Sequence, residues 1–228
     1  MFPGGSDGYR LGDMFRGQLL WASNGRQYHL SHFPHSIASE YLRASQGVSN
    51  DYGTLTRIVA DLGVSGYETP SLDAVVIHLR CGDVLEQDTA HVGFNGDVNS
   101  VLQNGLQNND AFYVKPWSYF ESYLRQLPET ITHVSLVAGS QYDNNHNDWP
   151  YSTAYINGIR DMCVAMGFSV ELVIGREADS DVVYMAHASY FISSGGGFSH
   201  LIGELVTRLG GHSMGTARRL TVLQGIIS

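Results

Sequence analysis

Apolar and polar positions change rhythm along the chain, and that rhythm predicts its elements. Residues 11–22 (LGDMFRGQLLWA) place Leu11, Met14, Phe15, Leu19 and Trp21 at roughly helical spacing. Residues 36–46 (SIASEYLRASQ) predict a helix capped by Ser36, with Glu40 near capping-box distance. Residues 53–62 predict another, stopped by Gly63. Segment 73–79 (DAVVIHL) differs. It is a short, nearly continuous apolar run between Pro70 and Gly82, as in a buried parallel strand. From there the two periods alternate. Residues 116–126 predict a helix with Pro116 in its first turn. A strand at 132–138, a helix at 152–166 ended by Gly167, a strand at 168–174 and a short helix at 179–187 follow. A strand at 189–193, three glycines and a helix at 199–209 complete the series. Such alternation implies βαβ units and a mostly parallel sheet, so the expected class is α/β with a Rossmann-like half. That half covers residues 70–228, and residues 1–69 form a small, mostly helical N-terminal part.

Composition narrows the function classes. The chain has 228 residues, 43% hydrophobic and 11% aromatic, enough for a real core and unlike a disordered segment. Thirteen basic residues against 22 acidic ones, net charge −9, argue against a nucleic-acid partner, which needs a basic face. No stretch approaches the ~20 apolar residues of a membrane span. The first residues (MFPGGSDGYR) lack the build of a signal peptide. The expected location is cytoplasmic, or the secretory lumen if the sequence is trimmed. Cys81 and Cys163 are too few for a disulfide framework or a cysteine zinc site and are expected to be reduced. Lys115 is the only lysine, so a lysine-dependent mechanism is excluded unless Lys115 carries it. Arginine is the available anion clamp, since its planar fork donates two hydrogen bonds at once.

In parallel α/β sheets ligands bind outside the carboxyl ends of the strands. Two motifs fall there. The first is HLRCGD at 78–83. Arg80 leaves a buried strand and needs an anion or a carboxylate to meet it. A bound anion and a structural pair with Asp83 are both open, and His78 within the strand reads as a core residue. The second is SSGGGFSH at 193–200, running from strand into helix. Its glycines, Gly197 among them, allow close backbone approach, the helix start offers free N–H groups, and Ser194 and Ser199 add hydroxyls. This is a phosphate cradle in outline, though neither G-x-G-x-x-G nor a P-loop. An Arg fork and a helix N-terminus together suit a diphosphate.

These segments resemble a known family. HLRCGD is similar to the H-x-R-x-G-D motif of the α1,2-, α1,6- and protein O-fucosyltransferase superfamily. YRLGDMF (9–15) resembles its N-terminal G-x-x-G-N-Q loop, and VSLVAGSQYD (134–143) its strand and nucleotide-facing loop. DVVYMAHASYFISSGGGFS (181–199) resembles its helix, strand and phosphate loop, whose closing signature Phe198 and Ser199 match. The resemblance covers most of the chain. It implies a two-lobed GT-B-like scaffold, with the acceptor side in residues 1–69. It implies inverting, metal-independent transfer of fucose from GDP-fucose to a glycan or glycoprotein hydroxyl, with a GDP-sugar donor and no cofactor. Arg80 would clamp the diphosphate and favour its departure. His78 would support the nucleotide or the strand end, Asp83 would brace Arg80, and Phe198 and Ser199 would sit at the phosphates. Asp181 falls near the acidic position that pairs with the guanine edge. Asp13 takes the place of the family's loop Asn, where a carboxylate could accept the acceptor's proton; an N-cap is its other reading. Cys81 stands where many relatives carry a second Arg, so Arg80 acts alone or Arg10 or Arg16 compensates. Residues 1–8 are too short and polar to supply the strand that precedes the family's first loop. These departures motivate a second hypothesis, a catalytically inactive nucleotide-sugar or glycan-binding module.

Other constellations carry less. Asp179-Ser180-Asp181 is a D-x-D triplet, the metal-holding signature of GT-A glycosyltransferases, but acidic residues also favour a helix start. His29, His32 and His35 recur every three residues, yet Pro34 breaks the helix that would align them. Residues 143–149 (DNNHNDW) lack the glycine and closing Glu of a calcium loop. Trp149 and Tyr151 suit sugar stacking or core packing. No G-x-S-x-G is present.

Overall fold

The computed structural model describes residues 36–45, 51–86, 94, 96–108, 111–138, 149–176 and 178–215. Helices α1 (Ser36–Ser45) and α2 (Tyr52–Val64) precede strand β1 (Ala74–Leu79). A one-turn helix α3 (Asp83–Glu86), helix α4 (Val98–Asn104), an antiparallel hairpin of β2 (Leu106–Asn108) and β3 (Ala111–Val114), and helix α5 (Trp117–Leu124) follow. The remainder alternates: β4 (His133–Ala138), α6 (Pro150–Ala165), β5 (Ser169–Ile174), α7 (Ala178–Ala186), β6 (Tyr190–Ile192), α8 (Gly196–Arg208) and β7 (His212–Met214).

Five strands form one all-parallel sheet in the order β5-β4-β1-β6-β7. The chain enters at the centre with β1, moves outward to β5, then crosses back to lay β6 on the other side of β1. The expected Rossmann-like α/β class is therefore present. Its strand order reverses between β1 and β6, the switch point where such sheets open a crevice.

The sequence dictates the layers. Along β1 every residue is buried, because both faces of a parallel sheet are covered. Val75, Ile77 and Leu79 join Val101 of α4, Phe120 of α5 and Tyr155, Ile159 and Cys163 of α6 in one core. Val76, on the alternate face, joins Leu55 and Ile58 of α2, Val182 and Met185 of α7, and Leu201 and Leu205 of α8. Ile37 and Tyr41 of α1 belong to that second core too. Helices α1 and α2, N-terminal to the division expected at 69, thus pack directly on the sheet layer.

Several boundaries differ from the pattern. Gly63 does not stop α2, which runs to Val64 and closes at Ser65. A Cβ at Gly63 would lie 2.3 Å from His187 Nε2, so the glycine gives room for the end of α7. The N–H of Ile37 in the first turn of α1 is met by Asp179 Oδ2 at 3.0 Å, a cap from 142 residues away that no local rule reveals. Helix α8 starts at Gly196 rather than Ser199 and takes the glycines into its first turn. Helix 11–22, the three spaced histidines, and residues 143–148 of the polar loop lie outside the described residues. Among the described residues no helix is long and apolar enough to cross a membrane. Both cysteines are free and buried, as expected.

Candidate functional site

The turns after β1 and β6 leave neighbouring strands at the same edge of the sheet, so HLRCGD and SSGGGFSH meet there. His78 is the hinge between them. It is 4% exposed and faces α8 rather than solvent. Its Nδ1 lies 2.5 Å from Ser199 Oγ and 3.4 Å from Ser194 Oγ, and its ring meets Phe198 edge-on at 5.4 Å. Burial, with Arg80 nearby, pushes the imidazole down to about 3, so it stays neutral and can accept a hydroxyl proton in a hydrogen bond. The resemblance implies Phe198 and Ser199 at the phosphates and His78 at the nucleotide or the strand end, and the cradle reading adds the Ser194 hydroxyl. The structure turns both hydroxyls inward. Together with His78 they pin the glycine turn to β1.

That turn is shaped for backbone contact. Gly195 takes φ 97° and ψ −178°, a region essentially reserved for glycine. Its N–H donates to Ser193 Oγ at 3.0 Å. Helix α8 has no side-chain N-cap, so its first-turn N–H groups and positive dipole end face the edge of the sheet.

The Arg80 turn is clasped from the opposite layer. The N–H of Gly82 donates to Ser152 Oγ at 2.9 Å, and the Ser152 N–H donates to Glu86 Oε1 at 2.7 Å. These two bonds fasten the strand end and α3 to the start of α6. Arg80 emerges half-buried, beside His78 and level with the glycine turn. Asp83 opens α3. Asp13, Arg10 and Arg16 lie outside the described residues.

Asp181 and Asp179 sit in the first turn of α7, which follows β5 at the same edge. Asp179 already caps α1, so the D-x-D pair does not present two open carboxylates. Among the described residues no group of three or more His, Cys, Asp or Glu could hold a metal. Asp181 is 2% exposed, and its Oδ1 has no hydrogen-bond partner. Burial pushes its carboxyl up to about 7, partly offset by Arg176. A buried acceptor with no donor is expensive and rare.

Sequence reasoning missed the supporting tyrosines. Tyr119 Oη lies 2.7 Å from the Ser193 carbonyl oxygen and 3.1 Å from that of Gly215, tying α5 to the ends of β6 and β7. The Tyr155 hydroxyl donates to the Lys115 carbonyl at 2.6 Å. Both fall within predicted helices, where nothing in the spacing marks them out. Tyr151 stacks edge-on against Phe94 at 5.1 Å, the packing reading of that residue. A separate cavity of about 340 Å³ lies at the amino ends of β4 and β5, lined by Glu68, His133, Ser135, Glu171 and Tyr184. Its buried hydroxyls, on Ser135 and Tyr184, pair with each other at 3.0 Å.

No family model, no curated protein and no solved structure matches this chain.

Proposed function

We propose that the chain binds a nucleotide-diphosphate sugar at the β1–β6 switch point and acts as a metal-independent, inverting glycosyltransferase. The observation that carries the reading is the juxtaposition at that edge. The Arg80 turn and the start of α8, which has no side-chain cap, lie at one edge of the sheet, and the buried Asp181 Oδ1 of α7 has no hydrogen-bond partner. An Arg fork and a row of N–H groups suit the two phosphates. The N1–H and N2–H donors of a guanine suit a carboxylate. Fucose as the transferred sugar, the GT-B-like scaffold and a glycan or glycoprotein acceptor rest on the resemblance of HLRCGD and the closing FS signature. In this account Arg80 stabilises charge on the departing GDP, and Asp13 receives the proton of the attacking hydroxyl.

The test is turnover: GDP release from GDP-fucose with a panel of glycan and peptide acceptors, with and without EDTA. The reading expects acceptor-dependent release that EDTA leaves unchanged. Release abolished by EDTA would favour the D-x-D enzyme. Nucleotide binding without release for any acceptor would favour an inactive binding module. Asp13→Asn is expected to leave GDP binding intact and to slow transfer at least a hundredfold, the scale of general-base catalysis. Undiminished transfer would remove Asp13 from that role.

A further inference from the structure

The two edges of the parallel sheet are built differently. One edge is β7, three residues long. The other is β5, six residues (SVELVI) in unbroken register with β4. Among the described residues no strand pairs with the outer side of β5. Ser169 turns its N–H inward, to the Thr132 carbonyl at 3.0 Å. Backbone groups alternate along a strand. Ser169, Glu171 and Val173 therefore bond β4, while Val170, Leu172 and Ile174 point N–H and C=O outward. The side chains of these outward residues lie on the α6 face, where Val170 packs. That layer leaves Leu172 40% and Ile174 37% exposed, and Val164 in the last turn of α6 55%. Edge strands are commonly blunted by proline, lysine, a bulge or shortness, and β5 has none of these.

An unpaired row of N–H and C=O groups takes another strand as its partner. This strand suits a copy of itself. A two-fold axis through Leu172, normal to the sheet, sets two β5 strands antiparallel and keeps both α6 layers on one side. Leu172 then faces its counterpart, Val170 faces Ile174 and Glu171 faces Val173. Every outward residue falls in a hydrogen-bonded pair, so all the free N–H and C=O groups of the strand are used. An axis through Glu171 instead sets two carboxylates directly opposite, a destabilising pair. It also sets Ile174 against Phe168, whose N–H already donates to the Cys163 carbonyl at 3.1 Å. We propose that β5 is the seam of a symmetric dimer of this chain, which joins two five-stranded sheets into one. Each copy carries a net charge of −9, yet Glu171 is the only charge in the strand, so little repulsion opposes the contact there. A five-residue seam is about 17 Å long. Its area falls at the low end of specific interfaces, below ~1,200 Å² in total, so association is reversible with a micromolar Kd. The proposal stands apart from the nucleotide reading.

Sedimentation equilibrium of the full chain, from micromolar to near-millimolar concentration, supplies the test. The mass is expected to rise from 25.0 kDa toward twice that value. Amide exchange read by NMR locates the seam. Protection of the Val170, Leu172 and Ile174 N–H groups is expected to grow with concentration. Glu171 and Val173, already bonded to β4, are expected to stay protected throughout. Leu172→Lys sets two ammonium groups opposite each other at the axis, and is expected to weaken association about tenfold or more with an unchanged circular dichroism spectrum. If that variant does not fold, the amide pattern of the wild-type chain decides. A chain that stays monomeric at near-millimolar concentration overturns the proposal. So does a dimer whose outward β5 amides exchange at one rate at every concentration, or one that a folded Leu172→Lys variant forms equally well.

Discussion

Asp181→Asn separates folding from function at one buried atom. In the folded chain burial lifts the Asp181 carboxyl from 3.8 to about 7, with Arg176 pulling the other way. A raised carboxyl pKa means the folded state holds a proton that the unfolded chain has already released. Stability from this group is therefore present at low pH and lost as pH rises from about 4 to 7. The full displacement corresponds to about 4 kcal/mol of disfavoured charge. Between pH 5 and pH 8 the loss is about 3 kcal/mol by linkage. His78 titrates in the opposite sense. Burial and Arg80 hold it at about 3, so its contribution is present above 6.5 and lost as pH falls below that. The two effects mask one another in the wild-type curve, and only the difference between variant and wild type isolates Asp181. Urea denaturation at pH 5 and pH 8 supplies it. The variant is expected to gain about 3 kcal/mol relative to wild type on going from pH 5 to pH 8, whatever the fixed effect of burying an amide. Its preference for GDP over ADP is expected to collapse, because the carboxylate no longer accepts from guanine. A relative stability independent of pH would refute the buried-charge argument. A stabilised variant that still prefers GDP would refute the guanine assignment.

Other consequences are quicker to check. Arg80→Ala is expected to weaken GDP at least tenfold while circular dichroism and thermal melting stay near wild type; unfolding of the variant would make Arg80 structural. Gly211→Ala places a Cβ 2.3 Å from the Ala188 carbonyl oxygen and 2.8 Å from Val206, where backbone cannot yield. It is expected to destabilise by roughly 1–3 kcal/mol, the range of overpacking, and an unchanged urea midpoint would contradict that contact. Burial pushes the Cys163 thiol up to about 12, so it is expected to resist alkylation at pH 8 until the chain unfolds.

Much of the fold is legible because burial on both faces leaves a plain mark. The run AVVIHL reads as a central strand, and the regular return of strand and helix after it reads as a parallel sheet. The hidden elements are those with weak periods: three-residue β7, the β2–β3 hairpin, and α4, whose start depends on Asp97 accepting from the N–H groups of Asn99 and Ser100. The same holds at the site. A strand-end Arg and a glycine-rich helix start are local signals, and the topology brings both to the switch point. The inward turn of Ser194 and Ser199 onto His78, the cap that Asp179 gives α1, and the Tyr119 bridge to Ser193 join residues 74 to 142 positions apart. Such pairs leave no spacing to read. Asp181 shows the limit most clearly. In the sequence it is one half of a D-x-D and falls near the guanine-pairing position of the resembled family, whereas in the fold Asp179 caps a helix and the Asp181 Oδ1 is buried without a hydrogen-bond partner.

The central claim is a nucleotide-diphosphate site at the β1–β6 edge, and calorimetric titration with GDP tests it most directly. The account predicts micromolar binding that is indifferent to EDTA, weaker for ADP, and tighter as pH rises from 6 to 8, because GDP takes up the ionised form of Asp181. No heat from GDP, GDP-fucose or UDP-sugars at any pH, with metal or without, would contradict it.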